Sequence, residues 1–210
     1  PRGITHYTWE VPNAGTYASA AALVLEKLKP ASAMVFICPN IGEKVPQVIE
    51  DLSAAGWENA LSMEKTLTKG IPGLRGDRQG WDSVEKMEDL RGQTRQGYED
   101  EYYREAPVIV CREESVRGMS FDGVEAVLIL GAPRSPAAYM HMAGRTGRLP
   151  HPYGKSVVLA RLLEMNKVVN KFSAVTGIKR WNSLGHGAAS LSDIAQLPTD
   201  GTAVSWMRTE

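Results

Sequence analysis

Apolar positions along this chain fall into two kinds of run. Met34–Cys38, Val108–Cys111, Ala126–Leu130 and Val157–Ala160 are continuously apolar. That is the signature of strands covered on both faces, since a half-exposed strand would alternate. Between and around them, apolar residues recur at helical spacing: Ala21, Val24, Leu25 and Leu28; Val45, Val48, Ile49 and Leu52; Met165, Val168, Val169 and Phe172. Each set places one apolar stripe on one helix face. Strands alternating with helices predict βαβ units, and hence an α/β fold with a doubly wound parallel sheet. From Leu61 to Glu105 the pattern loosens, with one helix expected over Asp82–Arg91 and a polar insertion over Gln93–Glu105. Beyond Gly177 it fades. Residues 1–182 are expected to form one domain, and residues 183–210 an irregular extension anchored by Trp181 and Trp206 or by a protein partner.

Composition narrows the function. The 210 residues carry 24 Lys+Arg and 24 Asp+Glu, so no global basic excess marks a nucleic-acid binder. Any nucleic-acid contact must be local or shared with another domain. Cys38 and Cys111 both end apolar strands, which fits buried free thiols in a reducing compartment (cytosol, nucleus or organelle matrix). No apolar run approaches a membrane span, so no membrane partner is expected. The first residue is Pro1, as expected of a processed product or an excerpt of something longer.

The stretch from Pro107 to Arg148 carries the chemistry. Ligands of open parallel sheets bind beyond the carboxyl ends of the strands. After the strand ending at Cys111 comes Arg117-Gly118, where a glycine permits close backbone approach and an arginine can hold a phosphate. After the strand ending at Leu130 comes a helix with His141, then Gly144-Arg145-Thr146-Gly147-Arg148. Glycines ending a helix and one cation complementing its dipole explain part of this arrangement. Two arginines three residues apart are better explained as fingers neutralising a polyphosphate held by another domain.

His141–Arg148, read HMAGRTGR, resembles the HRIGRTGR box of DEAD-box and related superfamily-two helicases. Ser115–Ser120 resembles the preceding ARGID-type box, at the right spacing without gaps. Val35–Asn40 resembles the VIFCNT strand that opens the same domain, and Ile4–Val11 the strand that leads into it. The likeness covers roughly residues 4–182. It implies the second RecA-like domain of an RNA helicase. Arg145 and Arg148 would reach the γ-phosphate of ATP seated on an N-terminal RecA-like domain, and His141 would couple the nucleotide and RNA sites. The resemblance places Arg117, Gly118, Arg112 and Asn40 at the RNA and Ser120 and Gly144 at the nucleotide. ATP and Mg would be bound mainly by the other domain.

The departures are informative. The acid of the ARGID box is Ser120, the threonine opening that box is Arg112, and the first arginine of HRIGR is Met142. A glutamine-xx-arginine element aligns to Gly80 and Ser83. Serine for aspartate loses a charged acceptor, about 1–3 kcal/mol where the bond was made. These losses motivate a second expectation: a helicase-derived, inactive part of a large RNP such as an organellar ribosome, with no cofactor. Gly154-Lys155-Ser156 imitates the end of a P-loop but leads into a strand, and a P-loop leads into a helix. Glu113-Glu114 is read as acids favoured at a helix start, not as an acid–base pair. His6, His151 and His186 show no ligand spacing, so no metal site is expected. Arg75, Arg78, Arg91 and Arg95, interspersed with acids, read as a solvated face.

Overall fold

The computed structural model describes residues 3–65, 103–116, 124–148 and 153–197. The helix expected over Asp82–Arg91, the arginines between 75 and 95, and most of the expected polar insertion lie outside them. The described elements are β1 (Ile4–Glu10), α1 (Tyr17–Leu28), β2 (Ala33–Ile37), α2 (Val45–Ala54), β3 (Ala60–Ser62), β4 (Val108–Arg112), β5 (Ala126–Leu130), α3 (Pro136–Ala143), β6 (Gly154–Ala160), α4 (Leu162–Thr176), β7 (Asn182–His186) and α5 (Leu191–Ala195), with 3₁₀ turns at Tyr103–Glu105 and Glu113–Val116. The strands form one sheet in the order β3-β4-β2-β5-β6-β1-β7, and every pairing is parallel. This is the doubly wound α/β fold that the continuous apolar runs predict.

Both faces of the sheet are covered, which explains those runs. Val35, Val110, Leu128 and Leu159 point into a core shared with α1, α2 and α5. Their neighbours Phe36, Cys111, Ile129 and Val158 point into a second core under α3 and α4. The period of two is present but hidden, because both sets are apolar. Local signals fix the helix ends. Thr16 caps α1 by accepting from the Ser19 N–H, and Ser135 caps α3 by accepting from Ala138, with Pro136 following. Gly177, at φ 72°, ends α4 in the left-handed conformation.

The domain boundary expected after residue 182 is displaced. Residues 182–186 extend the sheet as β7 beside β1, and the sheet-side Ile194 of α5 is fully buried in the first core. Backbone pairing needs no apolar side chains, so a strand reading Asn-Ser-Leu-Gly-His enters the sheet without a hydrophobic signature. Gly185 is required there: a Cβ would lie 2.9 Å from the Trp9 ring. Trp181 anchors the segment by packing on Tyr139 and His6, while Trp206 lies outside the described residues.

The winding places a switch point at the centre of the sheet. From β2 the chain crosses one face by α2 toward β3; from neighbouring β5 it crosses the other face by α3 toward β6. A crevice opens outside the carboxyl ends of β2 and β5, where open parallel sheets bind ligands.

Candidate functional site

The carboxyl edge is built from loops after four strands. Gly131, at φ 88°, turns the chain out of β5 so closely under the β2 loop that a Cβ would meet Ile41 at 2.7 Å and Asn40 at 2.9 Å. Only glycine fits both the dihedral and the space. Asn40 is exposed there, and its side-chain amide donates to Glu164 on α4 at 2.9 Å. Glu164 also accepts from the Tyr17 hydroxyl; burial first, then this carboxylate, pushes the Tyr17 phenol up to about 12. Glu43 accepts from the Tyr17 and Ala18 amides, holding the β2–α2 loop to the start of α1. Arg112 ends β4 with an exposed side chain, one strand from Asn40.

Glu113 and Glu114 follow in a 3₁₀ turn, as the sequence suggests, but their environments differ. Glu113 is buried beside the Cys38 thiol, whose pKa rises through burial and this acid. Glu114 pairs with Arg134 across the crevice at 2.9 Å, both half-exposed. Arg134 and Glu164 are therefore site-edge residues that sequence reasoning passed over, and Glu113, read only as an acid at a helix start, is a third. Arg134, directly before the capping Ser135 of α3, was the one with a readable signal, a cation at a strand-to-helix turn.

The glycine–arginine turn sits elsewhere. A crossover helix that starts at the carboxyl edge must run back to the amino edge before the next parallel strand, so α3 carries Gly144–Arg148 to the opposite side. There the Thr146 hydroxyl donates toward the Val124 and Glu125 carbonyls at 2.6 and 2.9 Å, and Gly147, at φ 68°, packs 2.8 Å (from its virtual Cβ) against Ile4. Gly154, opening β6, leaves no room for a Cβ beside Thr146, which fixes 154–156 as the start of a strand. Asn40 and Arg112 thus stand at the carboxyl edge, and Gly144, Arg145 and Arg148 at the amino edge. Residues 117–123 connect the two in sequence; Arg117, Gly118 and Ser120 lie outside the described residues.

At the amino edge, Arg145 is 6% exposed. Burial, then the nearby Arg148 charge, lowers its pKa. Arg148 is half-buried, and its Nε donates to the Gly144 carbonyl at 2.7 Å. His141 is exposed on the last turn of α3, whereas Met142, on the same turn, is 1% exposed in the second core. Two guanidinium groups on one turn concentrate positive charge at this edge, the chemistry that suits a polyphosphate brought there. Among the described residues, no group of three or more His, Cys, Asp or Glu side chains is placed to hold a metal ion.

The second core braces α3. His6 Nδ1 on β1 lies 2.5 Å from the Tyr139 hydroxyl, which is 3.3 Å from the Ser156 hydroxyl on β6. Burial lowers the His6 pKa to about 4, so its ring is neutral at pH 7 and hydrogen-bonds to Tyr139, whose hydroxyl donates to Ser156.

Residues 64–150 match the family model of the helicase conserved C-terminal domain. Over 50 residues, the chain is 36% identical to the mitochondrial ATP-dependent RNA helicase MRH4 of Candida albicans, a match covering 24% of this chain and 9% of that protein. The fold is similar to that of the C-terminal domain of the DEAD-box protein Dbp5, with TM-score 0.57, 16% identity, and 87% of this chain and 91% of that one covered. It is also similar to domain 2 of the DEAD-box helicase Mss116p, solved bound to an RNA duplex: TM-score 0.54, 18% identity, 92% and 66% covered.

Proposed function

We propose that this chain, which matches the helicase conserved C-terminal domain over residues 64–150 and has the fold of DEAD-box C-terminal domains, serves as the second RecA-like domain of an ATP-dependent RNA helicase or RNP-remodelling factor. A separate N-terminal RecA-like domain would hold ATP and Mg. The observation that carries the reading is the Gly144–Arg148 turn, which concentrates two arginines at one edge while Asn40 and Arg112 stand at the other. Closure of the two domains would bring Arg145 and Arg148 to the γ-phosphate, where they would neutralise charge developing in transfer. Bound ATP supplies the phosphoryl group; this chain's residues supply positive charge and position. Asn40, Arg112, Arg117 and Gly118 would track the RNA backbone, His141 would couple the two sites, and Ser120 and Gly144 would border the nucleotide.

Arg145→Ala and Arg148→Ala in the full-length polypeptide test this. An arginine finger is worth about 10³–10⁵ in turnover, so each variant should lose RNA-stimulated ATPase by at least a hundredfold while still folding. Unchanged turnover would remove the finger assignment.

One observation favours a second reading. Met142 occupies the place of an arginine in the resembling box and is packed in the core, so it offers no cation to a ligand. A helicase-derived interaction module of a large RNP, with a protein partner for the C-terminal tail, would tolerate that replacement. Its association with the particle would then be the same with and without ATP. Two buried thiols suit any reducing compartment, and the mitochondrial relative makes an organelle matrix one of them.

A further inference from the structure

The described residues 153–197 carry six Lys or Arg and two acids, against 24 of each in the whole chain, and from Met165 to Ser192 there is no acid at all. The basic side chains of that stretch, Lys167, Lys171, Lys179 and Arg180, are all exposed. Lys167 and Lys171 are one turn apart on α4, and no carboxylate among the described residues lies within salt-bridge distance of either. Like charges at this spacing weaken a helix slightly, so local stability does not account for them. They border an open groove of about 550 Å³ between α4 and the β5–α3 loop. Arg134 forms the opposite wall, Asn166 and Asn170 repeat the one-turn spacing beside the lysines, and Phe172 contributes an apolar patch. The positive end of α3 begins directly after Arg134. The groove is continuous with the carboxyl edge, because Arg134 reaches Glu114 there and Glu164, on the first turn of α4, holds Asn40.

We propose that this groove is a second RNA-binding surface, which takes the phosphodiester backbone of a single strand leaving the carboxyl edge. The inference rests on the reading of that edge as RNA-binding but concerns different residues. Lys167 and Lys171, roughly 6 Å apart, match successive phosphates of one strand. The asparagine amides can donate to and accept from sugar hydroxyls and base edges. A groove of this size admits about one nucleotide, and the mixture of amides and apolar surface suits a nucleotide better than a carboxylate chain.

The test is fluorescence anisotropy of the full 210-residue chain with a labelled 20-nucleotide oligouridylate, from 50 to 200 mM NaCl. Lys167→Glu/Lys171→Glu should weaken binding at least tenfold. In Lys167→Gln/Lys171→Gln, whose neutral side chains guard against a folding artefact, the slope of log affinity against log salt should become shallower by about 1.4, two phosphates at roughly 0.7 each. Binding by the paired α4 variants equal to wild type overturns the inference, and if Arg112→Glu alone then abolishes it, the carboxyl-edge reading stands without the groove. Equal competition by polyglutamate of the same charge also overturns it, by making the surface one for acidic protein. Absence of wild-type binding at 50 mM salt overturns both readings.

Discussion

The two faces of the sheet are equally buried and differently used. The first core, under α1, α2 and α5, is built of aliphatic residues with Trp9 and Tyr17, and it holds one polar knot. Glu26, buried on the last turn of α1, accepts from the Trp57 indole at 3.2 Å, from the Tyr103 hydroxyl, and from Arg104 Nε at 2.7 Å. Arg104 then donates to the Ala195 and Ile194 carbonyls at the end of α5, both at 2.9 Å. Every charge in the knot is answered, and it ties together four chain segments far apart in sequence. The second core, under α3 and α4, contains both thiols, Glu113, Arg145 and the His6–Tyr139–Ser156 chain. One face stores stability; the other sets the position of a helix that ends in the arginine turn. A buried polar group is therefore no mark of function by itself: what separates the two sets is whether they border an open edge.

The contrast can be broken most forcefully at Glu26. Removing one partner of a buried ion pair leaves the other charge stranded, at about 3–5 kcal/mol. Glu26→Ala should lower the stability measured by urea denaturation by that amount, while RNA affinity per folded molecule stays unchanged. A large loss of affinity in the folded fraction would mean the first face also serves the site.

On the second face, pH is the probe. The His6 pKa is about 4 in the folded chain against 6.5 in the unfolded one, so between those values the unfolded chain binds more protons. Its contribution is therefore full above pH 6.5 and is lost as pH falls toward 4, up to about 3 kcal/mol from a depression of this size. His6→Gln should flatten that part of the stability–pH curve; an unchanged curve would remove His6 as its source. Tyr139→Phe should have a smaller effect, about 1–3 kcal/mol, by leaving the His6 nitrogen unanswered. If the chain positions the arginine turn, this variant should also lower ATPase in the full-length protein more than its stability loss explains. Equal proportional losses would reduce it to a packing role.

Much of this was legible in the sequence. The four continuous apolar runs mark β2, β4, β5 and β6, the first running one residue past β2 to Cys38, because strands covered on both faces must be apolar throughout. The three helical stripes match α1, α2 and α4. The strands that went unread are β3, only three residues long, and the polar edge strand β7, both defined by backbone pairing with little side-chain pattern. Arg104 was read as the end of a polar insertion. Its signal lay elsewhere, in Glu26, an acid within an apolar helical stripe that had to find a cation. The arginine turn was legible as a motif but not in its location. Spacing along the chain records that a helix precedes it, and only the return path of a parallel crossover puts it at the opposite edge.

The proposed function requires the two edges to act together, nucleotide at one and RNA at the other. Its most direct measurement is the RNA affinity of the full-length polypeptide with and without a non-hydrolysable ATP analogue. The account expects at least tenfold tighter binding with the analogue, and loss of that gain in Arg145→Ala. An affinity independent of nucleotide in the wild-type protein would contradict it and leave the chain as an interaction module.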